Sequence, residues 1–517
     1  MRSLGVQIRR AAMIGCLPLL GSCTNLDEDV FGSLSPDNFP QNEEEALSAL
    51  AGVYQALDGY GSGANLWRII HLGTDEFIIA GRRDGRWVDG ETYYPFIDHS
   101  WTSAPNVRID AGWNEIFNHI GRANAVVDML ESSAQPEQFT AEIAEARALR
   151  AYAYFWAMDL FGQVPIFTDA RVDPSNLPSN MDTDRSDVFM FVVNELRETA
   201  ELLPSINDVN RTEYYPRLTR EAAYGVLATA FLNAEVYTGE AMWEGESVWD
   251  LAADYAMRVM EAGAYVLEPE FVTNFVPDNH NSRELIIARS IDPTQNAGGN
   301  VFTLRALHDN LRFKYNLPFT PQNGFNTYEA VLQRYEENDI RREYILRGPQ
   351  EDADGNPIPS LEDPNVQLVL IPHVDYTNSA QNEGFRVMKY QIDPNWVGNA
   401  GHHDFPLLRF ADVLLVRAEA LLRAGAVGGE ALALVNRVRE RSNATPLPTV
   451  TLADIEQERA RELVWEGSRR RDMIRFGSYF TGTWKFKQGV TPDFMGVYPI
   501  PANQLDGNPN LRQNPGY

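Results

Sequence analysis

Apolar positions recur along most of this chain with the spacing of one helix face. In 43–58, Leu47, Leu50, Tyr54 and Leu57 fall together, the pattern by which an amphipathic helix buries one side. Residues 113–131 repeat it with Trp113, Ile116, Phe117, Ile120, Val127 and Leu130. The stretch 141–161 is richer in aromatics: Leu149, Tyr152, Phe155, Trp156 and Leu160. The same spacing predicts helices over 186–203, 219–238, 248–262, 326–337, 409–424, 429–442 and 452–475. Gly162, Gly263, Gly425 and Gly477 stand where left-handed C-terminal residues are expected. The fold class is therefore mainly α.

Two segments read as helix pairs. In 219–262, Ala222, Ala223, Ala228, Ala230 and Ala234 let one helix approach another closely. In 409–442, "LLVRAEALLRAG" runs through a short turn into "EALALVNRVRER", the helix–turn–helix grammar of tetratricopeptide units. The units are not in tandem. Irregular stretches at 59–112, 264–325 and 344–408 separate them, rich in Trp, Tyr, Asn, Asp, Gly and Pro. Loops of that length inside a compact domain usually carry function.

The N-terminus has a different character. MRSLGVQIRR is basic, and Ala11 to Leu20 is an apolar run of signal-peptide length, too short for a permanent membrane span. Leu20-Gly21-Ser22-Cys23 reads as a lipobox: small residues enter a peptidase cleft, and the thiol takes a diacylglycerol. Several acyl chains at ~0.8 kcal/mol per buried CH2 anchor a protein stably. Removing the presequence with Arg2, Arg9 and Arg10 takes the net charge from −28 to −31. So acidic a chain argues against nucleic acid as partner and against anionic membrane surfaces. The only other cysteine, Cys16, leaves with the signal.

Candidate chemistry concentrates in the loop 74–106. It places Trp87, Tyr93, Tyr94 and Trp101 among Asp75, Arg82, Arg83, Asp84 and Asn106. Sugar recognition uses this mixture: aromatic faces cover the C–H faces of pyranose rings, while carboxylates, guanidiniums and amides take the hydroxyls. The alternative is that Trp87 and Trp101 pin the loop to the scaffold. A second arc is Tyr315, Phe319, Asn323, Phe325 and Tyr328, and a third element is Trp396; for each single residue, packing is an equal alternative. His402-His403-Asp404 lacks a spaced third histidine and argues against zinc. "DADGN" at 352–356 reads as a β-turn at Asp354-Gly355-Asn356, with calcium at an aspartate-rich loop the one metal reading left open. The acidic and basic residues of 455–475 read as i, i+4 ion pairs, some partly buried, rather than a hydrolytic carboxylate pair. Asn124 and Asn436, on apolar helix faces, are expected to hydrogen-bond neighbouring loop backbone. No G-x-S-x-G, H-E-x-x-H or phosphate-binding glycine loop is present, so no cofactor and no catalytic group are assigned.

Several blocks, in order, resemble the RagB/SusD family of outer-membrane nutrient-binding lipoproteins: "AEARALRAYAYFWAMDLFGQVPI" at 144–166, "LLRFADVLLVRAEALLRAG" at 407–425 with "VNRVRERS", "IEQERARELVWEGSRRRDMIRFG" at 455–477, and the closing "YPIPANQLDGNPNLRQNPGY". The resemblance covers nearly the whole mature chain. It implies a signal peptide at 1–22, a lipidated acidic tether at 23–40 and a single α-helical domain at 41–517, in which tetratricopeptide-like pairs form a superhelical scaffold bearing long ligand-binding loops. It implies anchoring in the outer membrane through Cys23, with Asp27-Glu28-Asp29 as a surface-export signal. It implies binding of oligosaccharide or another polymer fragment, handed to a SusC-like TonB-dependent transporter barrel. Family members use an Asp, a following Arg and a later Trp for glycan; Asp75, Arg83 and Trp101 match that order. A surface polymer hydrolase, and a scaffold without small ligand, remain alternatives on residues alone.

Overall fold

The structure is a computed structural model that describes residues 39–517, apart from 62, 293–298 and 428. The expected signal peptide 1–22, the lipobox Cys23 and Asp27-Glu28-Asp29 lie outside the described residues.

The periodic segments are helices. We number the principal ones α1 (Glu43–Gln55), α2 (Asn65–His71), α3 (Val107–Glu131), α4 (Thr140–Phe161), α5 (Arg185–Leu202), α6 (Arg220–Leu232), α7 (Val248–Glu261), α8 (Phe410–Arg423), α9 (Gly429–Arg441), α10 (Leu452–Glu462) and α11 (Arg469–Phe476). Start signals are local. Asp184 and Asp187 form a reciprocal capping box at α5, and Thr451 and Asp454 form one at α10. The helices stack in succession, α3 on α4, α4 on α5, α5 on α6, α6 on α7, α7 on α8 and α8 on α9. This is the layered arrangement of a tetratricopeptide-like scaffold. A small residue of α6 outside the predicted set also permits close approach: a Cβ on Gly225 would lie 2.4 Å from Leu408 Cδ2, in the strand Phe405–Arg409. Among the described residues no helix is long and apolar enough to cross a membrane.

Three predicted helices are corrected. Residues 219–238 divide at Asn233 into α6 and a short helix, Ala234–Thr238. Within 326–337 only Glu329–Gln333 is helical, because Phe325–Asn326 instead pairs antiparallel with Ile78–Ile79. The segment 452–475 breaks between α10 and α11, where Trp465 (φ 62°) and Gly467 (φ 86°) adopt left-handed backbone. The break is held by long-range bonds: Trp465 N–H donates to Glu76 Oε1 at 3.1 Å, its indole N–H to the Glu76 carbonyl at 3.1 Å, and Gly467 N–H to His71 Nε2 at 2.9 Å. Periodicity cannot register such a hook, because it depends on residues far away in sequence.

The charges flanking that break are a buried network rather than local i, i+4 pairs. Glu462 receives Arg341 at 2.8 Å, Arg409 at 3.0 Å and Arg441 at 2.5 Å; Glu458 receives Arg341 at 2.8 Å and Arg439 at 2.9 Å. Arg409 also reaches Glu284 at 2.5 Å and Glu466 at 2.6 Å. Such pairs roughly break even in stability, but removing one partner strands a charge. Here they tie Glu284 of the long segment 264–325, and Arg341 and Arg409 at the two borders of 344–408, to α10 and the turn after it. Engaged in this way, Glu458, Glu462 and Glu466 are unavailable as a hydrolytic pair. A second, smaller core of Leu307, Leu311, Leu317, Ile358, Leu368, Leu370 and Met388 lies under these segments.

Candidate functional site

Three loops meet on one face, joined by two buried arginines. Arg82, 2% exposed, donates from Nε to the Asn323 carbonyl at 2.9 Å and from Nη1 to the carbonyls of Ala380 at 2.8 Å and Glu383 at 3.0 Å; Nη2 reaches Asn326 Oδ1. Arg386 donates to the carbonyls of Glu383 and Gly384 and to Asn323 Oδ1. Asn323, itself left-handed at φ 56°, donates to the Gln381 carbonyl at 2.8 Å. Five or more fixed donors thus lock 81–94, 322–327 and 379–386 into one unit, a rigid footing for a binding surface.

On this footing stand partly exposed aromatic and charged groups. Trp87 lies on the backbone of Gly324, where a Cβ would fall 2.1 Å from the indole, and its N–H donates to the Gln322 carbonyl at 2.7 Å. The segment carrying it is strained: Trp87, Asp89 and Glu91 all have left-handed φ, of 60°, 44° and 63°. Such strain persists where surrounding structure over-determines it, and it concentrates at functional sites. Tyr94 meets Tyr376 edge-on at 5.3 Å, its hydroxyl donating to the Thr377 carbonyl at 3.3 Å. Arg86 bridges Asp84 at 2.7 Å, Asp309 at 2.8 Å and Gln381 at 3.1 Å. Arg83 is exposed; its side chain donates to the Asn378 carbonyl at 3.2 Å and stands 3.9 Å from Glu383.

The sequence-derived candidates divide accordingly. Trp87, Tyr94 and Arg83 share this face. Trp101 does not: it is 4% exposed, packed against Phe96, His99 and Tyr498, and its indole N–H donates to the Tyr517 hydroxyl at 2.8 Å. Asp75 is committed to Arg334 at 2.6 Å and Arg469 at 2.7 Å. Burial opposes its ionisation, yet these guanidiniums hold its carboxyl well below the usual carboxylate range. Asn106 is the N-cap of α3, accepting from Arg108 N–H at 2.9 Å and donating to the Thr92 carbonyl at 3.0 Å. For these three, packing, pairing and capping account for the side chains. Tyr315 and Trp396 pack, partly exposed, against the second core, where Trp396 meets Phe319 edge-on at 4.9 Å. Asn323 and Phe325 of the second arc, by contrast, are fully buried.

Asn124 donates to the carbonyls of Phe167 and Asp169, and Asn436 exchanges two bonds with Leu447, as expected of both. At 352–356, Gly355 N–H closes a turn onto the Asp352 carbonyl at 3.2 Å, and Asp352 accepts from the backbone of Asp354 and Asn356. His402 contacts Asp393 at 2.7 Å, while Asp404 accepts from Tyr215 at 2.6 Å. The residues not foreseen are Arg86, Asp309, Tyr376 and Gln381. Tyr376 stands in "VDYTNSAQNEG" within a long polar loop, a compositional cue, but its pairing with Tyr94 is invisible without the fold.

The comparisons agree with this architecture. A model described as "SusD family" matches residues 265–517, and one described as "Starch-binding associating with outer membrane" matches 79–232. Starch-binding protein SusD of Bacteroides thetaiotaomicron is 26% identical over 495 residues, covering 86% of this chain and 84% of that protein. Surface glycan-binding protein A from Bacteroides uniformis superposes with a TM-score of 0.74 at 20% identity, over 92% of this chain and 99% of that one. The homonymous protein from Bacteroides thetaiotaomicron, solved with laminarihexaose, does so with a TM-score of 0.72 at 20% identity, over 91% and 99%. At these identities the structural likeness is one of fold. Taken together, the two family models, the length of the aligned relatives and the shared helical scaffold show that this chain belongs to the SusD family.

Proposed function

We propose that this protein is a surface glycan-binding lipoprotein, held in the outer membrane through Cys23, that captures oligosaccharide and delivers it to a SusC-like TonB-dependent transporter. The observation that carries the reading is the locked loop face. Trp87 and the Tyr94–Tyr376 pair offer aromatic surface beside Arg83, Arg86 and Asp84, on loops fixed by Arg82 and Arg386. Aromatic faces flanked by charged hydrogen-bonding groups suit pyranose rings, whose C–H faces are apolar and whose edges are hydroxylated. The family's association with the outer membrane and the relatives named for starch and glycan binding support the role.

Calorimetric titration of the soluble chain from residue 24 against a panel of polysaccharides and their oligomers tests it. One glycan class should bind, and Trp87→Ala should weaken binding about tenfold or more, roughly 1.4 kcal/mol. Undiminished binding by Trp87→Ala would remove this face as the site, and no binding to any glycan would refute the role. Anchoring is checked separately. Label from a palmitate analogue should be absent in Cys23→Ala, and a variant that stays labelled refutes the lipobox.

A further inference from the structure

Beside Trp87, two arginines are held together without a carboxylate. Arg68 lies in α2 and Arg305 in the short helix Phe302–Ala306. Both donate to one acceptor, the Gly63 carbonyl, Arg68 through Nε at 3.1 Å and Arg305 through Nη1. Both guanidinium carbons lie over the Phe325 ring, at 5.7 and 5.6 Å from its centroid. Arg68 also donates to the Tyr93 hydroxyl at 2.6 Å, and Arg108 stacks on the same ring at 4.5 Å.

The charge at this spot is not balanced. Arg108 has Asp89 at 3.0 Å. Among the described residues neither Arg68 nor Arg305 has a carboxylate within 4.0 Å. Two acids act on Arg68 from beyond that distance: Glu115, occupied by Leu66 N–H at 2.9 Å and by the Asn65 amide, and Asp89, paired with Arg108. Burial, and the repulsion of Arg68, lower Arg305 to about 10, and burial lowers Arg68 as well. Both side chains remain partly exposed. Two half-buried cations sharing one carbonyl repel each other, and a carbonyl and a phenol offset only part of that cost. An incoming anion would relieve it, and guanidinium forks match the planar or tetrahedral oxygens of carboxylate and sulfate. The patch adjoins the aromatic face: the Phe325 ring stands 5.8 Å from that of Trp87, and Gly324 N–H donates to the Arg305 carbonyl at 2.7 Å.

We propose that Arg68 and Arg305 form an anion-binding subsite next to Trp87, so that the captured glycan is acidic, carrying carboxylate or sulfate groups. This deepens the glycan-binding reading above and rests on it.

The experiment is calorimetry of the mature soluble chain with three probes: oligogalacturonates for carboxylate, sulfated galactan oligomers for sulfate, and laminarin and starch oligomers as neutral controls. One acidic class should bind, more weakly as salt rises. R68Q and R305Q should each weaken that binding about tenfold or more, while R305K keeps much of it. Thermal unfolding confirms that each variant is folded, and either glutamine variant alone decides the question. Which acidic class binds separates uronate from sulfate. Acidic binding unchanged in the variants, or binding confined to the neutral glycans, overturns the subsite and leaves the glycan-binding reading standing. No binding to any of the three overturns the subsite, and the wider polysaccharide panel then decides the glycan-binding reading.

Discussion

Replacing Arg82 by Met tests whether the loop face is held as described. Met retains the apolar stem and deletes the guanidinium. Six acceptor atoms are affected, unequally: Asn323 Oδ1 keeps Arg386, and Ser379 Oγ keeps its contact with His373. The Ala380 carbonyl keeps the Glu383 N–H at 3.1 Å, and the Glu383 carbonyl keeps Arg386 at 3.1 Å. Among the described residues the Asn323 carbonyl and Asn326 Oδ1 accept from Arg82 alone and are left buried without a donor. Each orphaned buried acceptor costs about 1–3 kcal/mol, giving roughly 2–6 kcal/mol for two. Part is offset because a cation that has, among the described residues, no carboxylate in ion-pairing range is no longer desolvated; burial already lowers Arg82 to about 10. The expected net loss is about 3 kcal/mol. Urea unfolding followed by tryptophan fluorescence measures it, and limited proteolysis should show cleavage appearing within 74–106. R82K should not rescue, since one ammonium cannot span acceptors on two other loops. A loss below about 1 kcal/mol, or full rescue by R82K, would refute the crosspiece role.

Two further outcomes follow from the same geometry. Trp101→Ala should cost about 3–5 kcal/mol of stability while leaving glycan affinity unchanged, as thermal or chemical unfolding and calorimetry would show, because Trp101 is core; lost affinity in a fully stable variant would restore it as a ligand contact. Burial raises Glu76 from 4.5 to about 7. The folded chain therefore holds a proton there that the unfolded chain releases, and this contribution, full below about pH 4.5, declines as pH rises through about 7. Glu76→Gln keeps the acceptor for Trp465 N–H and should flatten stability across that window, gaining on the parent protein at pH 8; a parallel profile would show that Glu76 is not the titrating group.

Most helices were legible in the chain itself. Their apolar spacing, caps and terminal glycines are local properties, and α3 to α9 lie within a few residues of their predicted bounds, except where Asn233 shortens α6 and where Asn106 extends α3 to Val107. The family resemblance and the concentration of chemistry in 74–106 were legible for the same reason: motif order and composition are properties of sequence. Which members of that loop face solvent was not. Trp87 and Trp101 are the same residue type in the same loop, yet one lies on Gly324 at the surface and the other sits among Phe96, His99 and Tyr498. Asp75 could have been a sugar ligand until Arg334 and Arg469 claimed it. The break after α10, the buried arginine network and the Arg68–Arg305 pair share that origin. Each depends on partners dozens to hundreds of residues away, brought within hydrogen-bonding reach only when the scaffold closes. Local periodicity thus determined the helices and the class of the chain, while long-range burial and hydrogen bonding decided which polar and aromatic groups remain free to meet a ligand.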